Sequence, residues 1–289
     1  MPDAPVPHVT TIAELRATVR GWRAAGEGVA LLPTMGALHD GHLGLVRLAQ
    51  SHARRVVVSI FVNPAQFAPH EDFDRYPRTL QADLDKLVTV GCDLVWAPDM
   101  AQMYPDGFAT RIVPAGAADG LETEFRPHFF GGVATVCTKL FTQVAPDVAI
   151  FGEKDYQQLA VIRQTVRDLD LPLSIVGAPT IREADGLAMS SRNRYLSETE
   201  RQVAPAMFRA LKAAARNIAA EGDGLTREQA EYICNEAVRM LIAVGFAKVD
   251  YVAVRDAETL APVQRANRVL RLLAAAWLGK TRLIDNIAV

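Results

Sequence analysis

The chain has 289 residues, half of them hydrophobic, with 31 basic and 33 acidic side chains and a formal net charge of −2. That length buries a sizeable core in one large domain or two smaller ones. The intermixed charge gives no basic footprint for nucleic acid, and no apolar run reaches the length of a membrane span, so neither partner is expected.

The stretch "MPDAPVPHVTTIAEL" lacks the basic-then-apolar pattern of a secretion signal. Cys92, Cys137 and Cys234 are scattered, each in an apolar context. They read as buried thiols of a cytoplasmic protein.

In "TTIAELRATVRGWRAAG", Ile12, Leu15, Val19 and Trp22 fall at helical spacing, with Thr10 or Thr11 as N-cap. Strands and helices then alternate. "GVALLPT" predicts a strand and the residues from about Gly41 a helix. "RRVVVSIFVN" predicts a strand ending at Asn63–Pro64, and "RTLQADLDKLVTVG" a helix closed by Gly91. "CDLVWAP" predicts a strand, "GGVATVCTKLFTQVAP" a helix stopped by Pro146, and "DVAIFG" a strand. "DYQQLAVIRQTVRDLD" predicts a helix and "LSIVGAPTI" another strand. Near-continuous apolar strands alternating with helices imply an α/β fold with a doubly wound parallel sheet. Ligands in such sheets bind beyond the C-terminal strand ends, which draws attention to 34–42, 63–66, 152–158 and 181–192.

After Asn193 the texture changes. Two alanine-rich helices, "SETERQVAPAMFRALKAAARNIAAEG" and "LTREQAEYICNEAVRMLIAVG", precede three strands, "KVDYVAVRD", "RVLRLLAAAWLG" and "TRLIDNIAV". The expected division is therefore a Rossmann-like domain over 1–182 and a smaller α+β lid domain over 183–289.

Four clusters carry chemistry. "PTMGALHDGH" sits at a strand-to-helix turn, where a helix N-terminus offers free N–H groups and partial positive charge. Gly36 and Gly41 let backbone approach a phosphate, and His39 and His42 add donors that strengthen as charge builds on phosphorus. In "FGEKDYQQL", Lys154 is a point charge suited to phosphate oxygens, while Gln157 and Gln158 match a small hydroxy acid. In "READGLAMSSRNRYLS", Ser190, Ser191 and Arg192 supply two hydroxyls and a guanidinium for a polyphosphate. In "FVNPAQF", Asn63 and Gln66 can aim amides at a hydroxyl or carboxylate.

Assembled, "LPTMGALHDGHLGLV", "SIFVNPAQF", "RYPRTL", "GVATVCTKLF", "FGEKDYQQL" and "READGLAMSSRN" resemble the pantoate–β-alanine ligases, of the HxGH nucleotidyltransferase-like superfamily, over nearly the whole chain. The resemblance implies ATP-dependent condensation of pantoate with β-alanine, the last step to pantothenate. A pantoyl adenylate would be the intermediate, with pyrophosphate and AMP released. It further implies ATP binding by Met35, Gly36, Ala37, Leu38, His39, Asp40, Gly41 and His42, by Gly152, Glu153, Lys154 and Asp155, and by Ile181, Met189, Ser190, Ser191 and Arg192. His42 would be the family's proton donor or a stabiliser of phosphate charge, with His39 and Lys154 beside it in catalysis. Gln66, Gln158 and Asn63 would contact pantoate, and Gln66 also β-alanine. A homodimer and a requirement for Mg2+ are implied as well. Where the family has acidic positions for the metal, Ala82 leaves Asp83 as the candidate ligand. The family's "RPGHF" is "RPHFF" here, and His128 receives no role. Three rivals use the same residues: a nucleotidyltransferase acting on a phosphorylated alcohol, a zinc hydrolase built on His39 and His42, and a silent nucleotide sensor.

Overall fold

The computed structural model describes residues 5–68, 71, 73–263 and 269–289. The stretch read for a secretion signal begins at Met1, and the last-but-one strand was expected from Arg268; both starting points lie outside those ranges.

In chain order the elements are β1 (His8–Val9), α1 (Ile12–Ala24), β2 (Val29–Thr34), α2 (Asp40–His52), β3 (Arg55–Ile60), α3 (Leu80–Val88), β4 (Leu94–Trp96), α4 (Met100–Met103), α5 (Glu122–Phe125) and α6 (Phe129–Val144). They continue with β5 (Val148–Gly152), α7 (Tyr156–Asp168), β6 (Ser174–Ala178), α8 (Glu198–Val203), α9 (Ala206–Glu221), α10 (Arg227–Ala243), β7 (Lys248–Asp256), β8 (Leu270–Leu278) and β9 (Thr281–Ala288). Local chemistry sets several ends. Thr11 caps α1 in a reciprocal box with Glu14. Ala145, in the left-handed region at φ 49°, closes α6 just before Pro146.

The chain divides into two compact units. The first comprises 1–114, 126–152 and 161–178; the second comprises 115–125, 153–160 and 179–289. The last boundary lies four residues before the expected 183, and two earlier stretches also join the second unit. The first of these holds only a short turn (Gly116–Ala118) and the four-residue α5, and the second is the Glu153–Asp155 turn with the start of α7, inside whose continuous helical pattern no boundary is marked.

In the first unit the strands form one parallel sheet in the order β1-β4-β3-β2-β5-β6. The chain works outward from β2 through β3 to β4, then returns to place β5 on the other side of β2. That reversal is a topological switch point, where ligands of open α/β sheets bind. Val29, Ala30, Leu31, Val56, Val57 and Val58 are wholly buried, as expected for strands covered on both faces. Each large one contributes about 1.5–3 kcal/mol by its burial.

In the second unit β7, β8 and β9 form an antiparallel sheet. Met207 and Leu211 of α9, Leu241 of α10, and Leu272 and Leu283 of the sheet share one core. Pro205 separates α8 from α9, where sequence periodicity predicts one helix.

Candidate active site

The HxGH segment leaves β2 as a tight turn. Thr34 donates its hydroxyl to the Ser59 carbonyl at 2.8 Å and accepts the Gly36 N–H at 3.2 Å. Gly36 (φ 80°) and Ala37 (φ 52°) are both left-handed. A Cβ at Gly36 would stand 3.0 Å from Asp83 Oδ2 and 3.1 Å from an Ile60 methyl, so the position has two reasons to be glycine.

Asp83, on α3, holds that turn. It is 1% exposed. Its Oδ2 accepts the Ala37 N–H at 2.9 Å and the Thr79 hydroxyl at 3.2 Å, and its Oδ1 accepts the Leu38 N–H at 2.7 Å. The expectation that Asp83 binds Mg2+ is corrected here: a carboxylate sealed from solvent, with both oxygens already accepting from Ala37, Leu38 and Thr79, presents no open face to a cation. Among the described residues no three His, Cys, Asp or Glu side chains gather to hold a metal ion. His39 and His42 therefore lack the third ligand that a zinc centre would need.

The clamp also changes what the turn offers a ligand. Ala37 and Leu38 have buried side chains, and Asp83 takes their N–H groups, so neither presents a donor. The donors begin at α2. The Asp40 and Gly41 N–H groups have no partner among the described residues. His39 is the N-cap, in extended conformation, and the two imidazole centroids lie 4.1 Å apart. His42 Nδ1 accepts the His39 N–H at 3.3 Å, which places the proton of the neutral ring on Nε2. The arrangement is two backbone N–H groups and an oriented imidazole donor at the positive end of a 13-residue helix.

The next strand end supplies the amides. Asn63 is 1% exposed and its amide is fully engaged. Its Oδ1 accepts from Tyr104 Oη at 2.7 Å and from the Ala65 N–H at 3.3 Å. Its Nδ2 donates to Gln66 Oε1 at 2.9 Å and to the Gly132 carbonyl at 3.2 Å. Asn63 thus has nothing left for a ligand, against the expectation of a pantoate contact. It holds Gln66 by its carbonyl end and leaves the Gln66 Nε2 donors with no partner among the described residues. Gly132 is required opposite this loop, because a Cβ there would collide with the Ala65 carbonyl. Arg126 supports it too, donating to the Gln66 carbonyl at 2.9 Å while paired with Glu71.

In the second unit, Glu153–Asp155 form a single helical turn that leads into α7. Lys154 is one-fifth exposed and stands 3.9 Å from Asp155. The Glu153 and Lys154 carbonyls both accept from Asn286 Nδ2, each at 2.8 Å. Glu153 pairs with Arg271, whose guanidinium lies 4.0 Å over the Tyr156 ring. Gln157 is buried and structural: it donates to the Ala117 and Gly120 carbonyls and accepts the Glu122 N–H. Gln158 is half-buried and makes no side-chain hydrogen bond among the described residues.

Residues 181–189 form a narrow hairpin, with Arg182 bridged to Ala188 and the Met189 N–H bonded to the Ile181 carbonyl at 3.0 Å. Its turn places Gly186 at φ 94°, where a Cβ would strike Phe208. Buried Leu187 and Ala188 anchor the hairpin, and Ile181 is exposed. Met189 to Arg192 are half-buried, and Ser190 Oγ caps the following turn by accepting the Arg192 N–H at 3.3 Å.

Cys92, Cys137 and Cys234 are free and buried. Burial pushes the first two thiols up to about 12 and the third to about 11, so none is a nucleophile. Sequence reasoning missed Asn286, Asp285, Arg182, Arg271 and Arg126. For Asp285 and Asn286 the available signal was an Asp-Asn pair set among the apolar residues of "LIDNIAV".

Residues 7–288 match the family model described as pantoate-beta-alanine ligase. A pantothenate synthetase of Caulobacter vibrioides is 57% identical over 286 residues, 97% of this chain and 98% of that protein. One of Mesorhizobium japonicum is 59% identical over 281 residues, 97% of each. Among solved structures, the pantothenate synthetase of Thermus thermophilus is 45% identical with a TM-score of 0.84, covering 98% of this chain and 99% of that one. The pantoate-beta-alanine ligase of Francisella tularensis, complexed with "Beta-gamma ATP" and β-alanine, is 32% identical with a TM-score of 0.80, covering 98% and 97%.

Proposed function

Because this chain belongs to the pantoate-beta-alanine ligase family, we propose that it joins pantoate to β-alanine through a pantoyl adenylate, consuming ATP. A carboxylate acylates an amine poorly because its leaving group is oxide. In the first step a pantoate carboxylate oxygen bonds to the α-phosphorus of ATP and the bond to the β-phosphate oxygen breaks, releasing pyrophosphate. In the second the β-alanine nitrogen bonds to the acyl carbon, AMP leaves with the carboxylate oxygen, and the amine gives up a proton.

The observation that carries this reading is the oriented His42. Its Nδ1 accepts the His39 N–H, so the neutral ring carries its donor on Nε2, on the same helix turn as the Asp40 and Gly41 N–H groups. Such donors stabilise charge building on a phosphate without transferring a proton. We assign His39 the same field, Lys154 to the phosphate oxygens, and Met189 to Arg192 with Ile181 to the rest of the nucleotide. The Nε2 donors of Gln66 and the unengaged amide of Gln158 serve the hydroxyl and carboxylate of pantoate, and Gln66 also serves β-alanine. Asn63 acts behind Gln66. The divalent ion enters with the triphosphate, since the carboxylate available for it is sealed on Ala37 and Leu38.

Isotope exchange tests the scheme. Labelled pyrophosphate should enter ATP when pantoate is present and β-alanine absent, and should not when pantoate is omitted. Exchange that strictly requires β-alanine would overturn the separate adenylate. Exchange without pantoate would point to an adenylylated protein side chain.

A further inference from the structure

Strand β9 places two polar residues side by side, Asp285 (4% exposed) and Asn286 (2% exposed). Neighbours on a strand face opposite sides of the sheet, and each of these reaches a different segment. Asn286 donates both Nδ2 hydrogens, one to the Glu153 carbonyl and one to the Lys154 carbonyl, at 2.8 Å each. Its Oδ1 accepts from Arg271 Nε at 2.7 Å, and the same Arg271 holds the Glu153 carboxylate at 3.1 Å. Asp285 takes Arg182 in a two-pronged pair at 2.7 and 2.9 Å. Arg182 also donates to the Gly186 carbonyl at 3.1 Å, across the turn of the 181–189 hairpin, and lies 3.8 Å over the Phe208 ring. The Asn286 backbone N–H donates to Asp285 Oδ1 at 2.7 Å and fixes the Asp285 carboxylate against the strand.

We propose that Asp285 and Asn286 are positioning residues for the nucleotide. Asn286 sets the turn that carries Lys154, and Asp285, through Arg182, sets the hairpin that delivers Ser190 to Arg192. The inference rests on the reading that those two segments take ATP. The chemistry favours an amide at 286. Two carbonyls converging on one point need a neutral double donor, and Arg271 needs an acceptor on the other side. Asparagine supplies both, whereas aspartate cannot donate. Paired and sealed, the two residues order a charged turn before substrate arrives, so less ordering remains at binding.

The test compares Asn286→Ala and Asn286→Asp with Leu241→Ala, a core substitution in α10 that lowers the melting temperature without touching either segment. Asn286→Asp keeps the size and the Arg271 bond, so it carries the test should the alanine variant not fold. Loss of two backbone anchors should raise the KM for ATP about tenfold, with the KM for pantoate changed by less than about twofold. Leu241→Ala should change neither. In a Lys154→Ala background, adding the Asn286 substitution should change the KM for ATP by less than about twofold, because residues acting through one another are not additive. Additive losses, or an unchanged KM for ATP in both Asn286 variants, would overturn the proposal. Calorimetric titration with ATP separates the two readings. If the wild-type protein binds ATP but does not join pantoate to β-alanine, the ligase reading fails, and weaker ATP binding in the Asn286 variants still upholds the positioning role. If the wild-type protein does not bind ATP, both fall.

Discussion

Asp83 and Leu38 lie 45 positions apart, yet the Asp83 carboxylate accepts the Leu38 N–H at 2.7 Å inside a sealed contact. The same carboxylate holds Ala37, itself in the left-handed region. The HxGH turn is thus shaped by a residue outside it. Asp83→Asn should lose one of these bonds and set an amide N–H against a backbone N–H. We expect a loss of about 1–3 kcal/mol in stability. Turnover should fall as well, because His39 follows Leu38 directly. Denaturant melts with steady-state kinetics check this, and unchanged turnover in a folded variant would detach the clamp from function. Added Mg2+ should not restore the variant, since the wild-type carboxylate is not a metal ligand.

His42→Ala should leave the fold intact, because the ring lies half-buried on the first turn of α2. Removing one donor aimed at developing charge costs about 2.7–4 kcal/mol, or ~10²–10³ in rate. The reading is kcat in a variant with a native circular-dichroism spectrum and melt. Near-normal turnover would remove His42 from the reaction.

Gln66→Ala should raise the KM for pantoate while ATP titrates as in the wild type, at a cost of roughly 1–3 kcal/mol in binding. Asn63→Ala should share that kinetic effect and also lower the melting temperature, because the Tyr104 hydroxyl and the Gly132 carbonyl lose their partner. Equal losses for ATP and pantoate in either variant would contradict the assignment of these amides.

Lys154→Ala should weaken ATP use more than pantoate use. Lys154→Arg should rescue only part, since a broad planar fork does not replace a compact ammonium. Initial rates across an ATP titration decide it, and an unaltered ATP dependence would place the lysine away from the phosphates.

The three thiols should resist iodoacetamide at neutral pH in the folded protein and react fully in denaturant. Desolvation holds Cys92 and Cys137 near 12 and Cys234 near 11, so the reactive thiolate is scarce as well as inaccessible. Mass spectrometry of the alkylated protein reads the result. A thiol modified in the native state with loss of activity would reopen covalent chemistry.

The parallel sheet is legible in the sequence because β2, β3 and β5 are covered on both faces and so spell continuous apolar runs. The two-residue β1 leaves no such run. The HxGH and EKD segments are legible because each follows a readable strand directly. Asn63 shows only as a polar residue after a strand and Asp83 as one within a helix, and nothing local says that the Asn63 amide is engaged by Tyr104, Ala65 and Gly132 or that the Asp83 lone pairs are taken by Ala37, Leu38 and Thr79. Asp285 and Asn286 are harder still. Their partners lie 103 and 133 positions away, so the pair reads as the polar interruption of a strand.

The second unit is gathered from three separate stretches of chain, and its internal ion pairs cross those gaps. Arg282 meets Glu122 at 2.7 Å across 160 positions, and Arg271 meets Glu153 across 118. The consequence concerns inheritance. A gene crossover at 182/183 looks harmless on a linear map, but a chimaera made there unites arginines from one lineage with acids from another. A single mismatch leaves a largely buried charge without its counterpart, which costs far more than an ordinary surface change. Residues 115–125, 153–160 and 179–289 are therefore one recombination block, to be exchanged together or not at all.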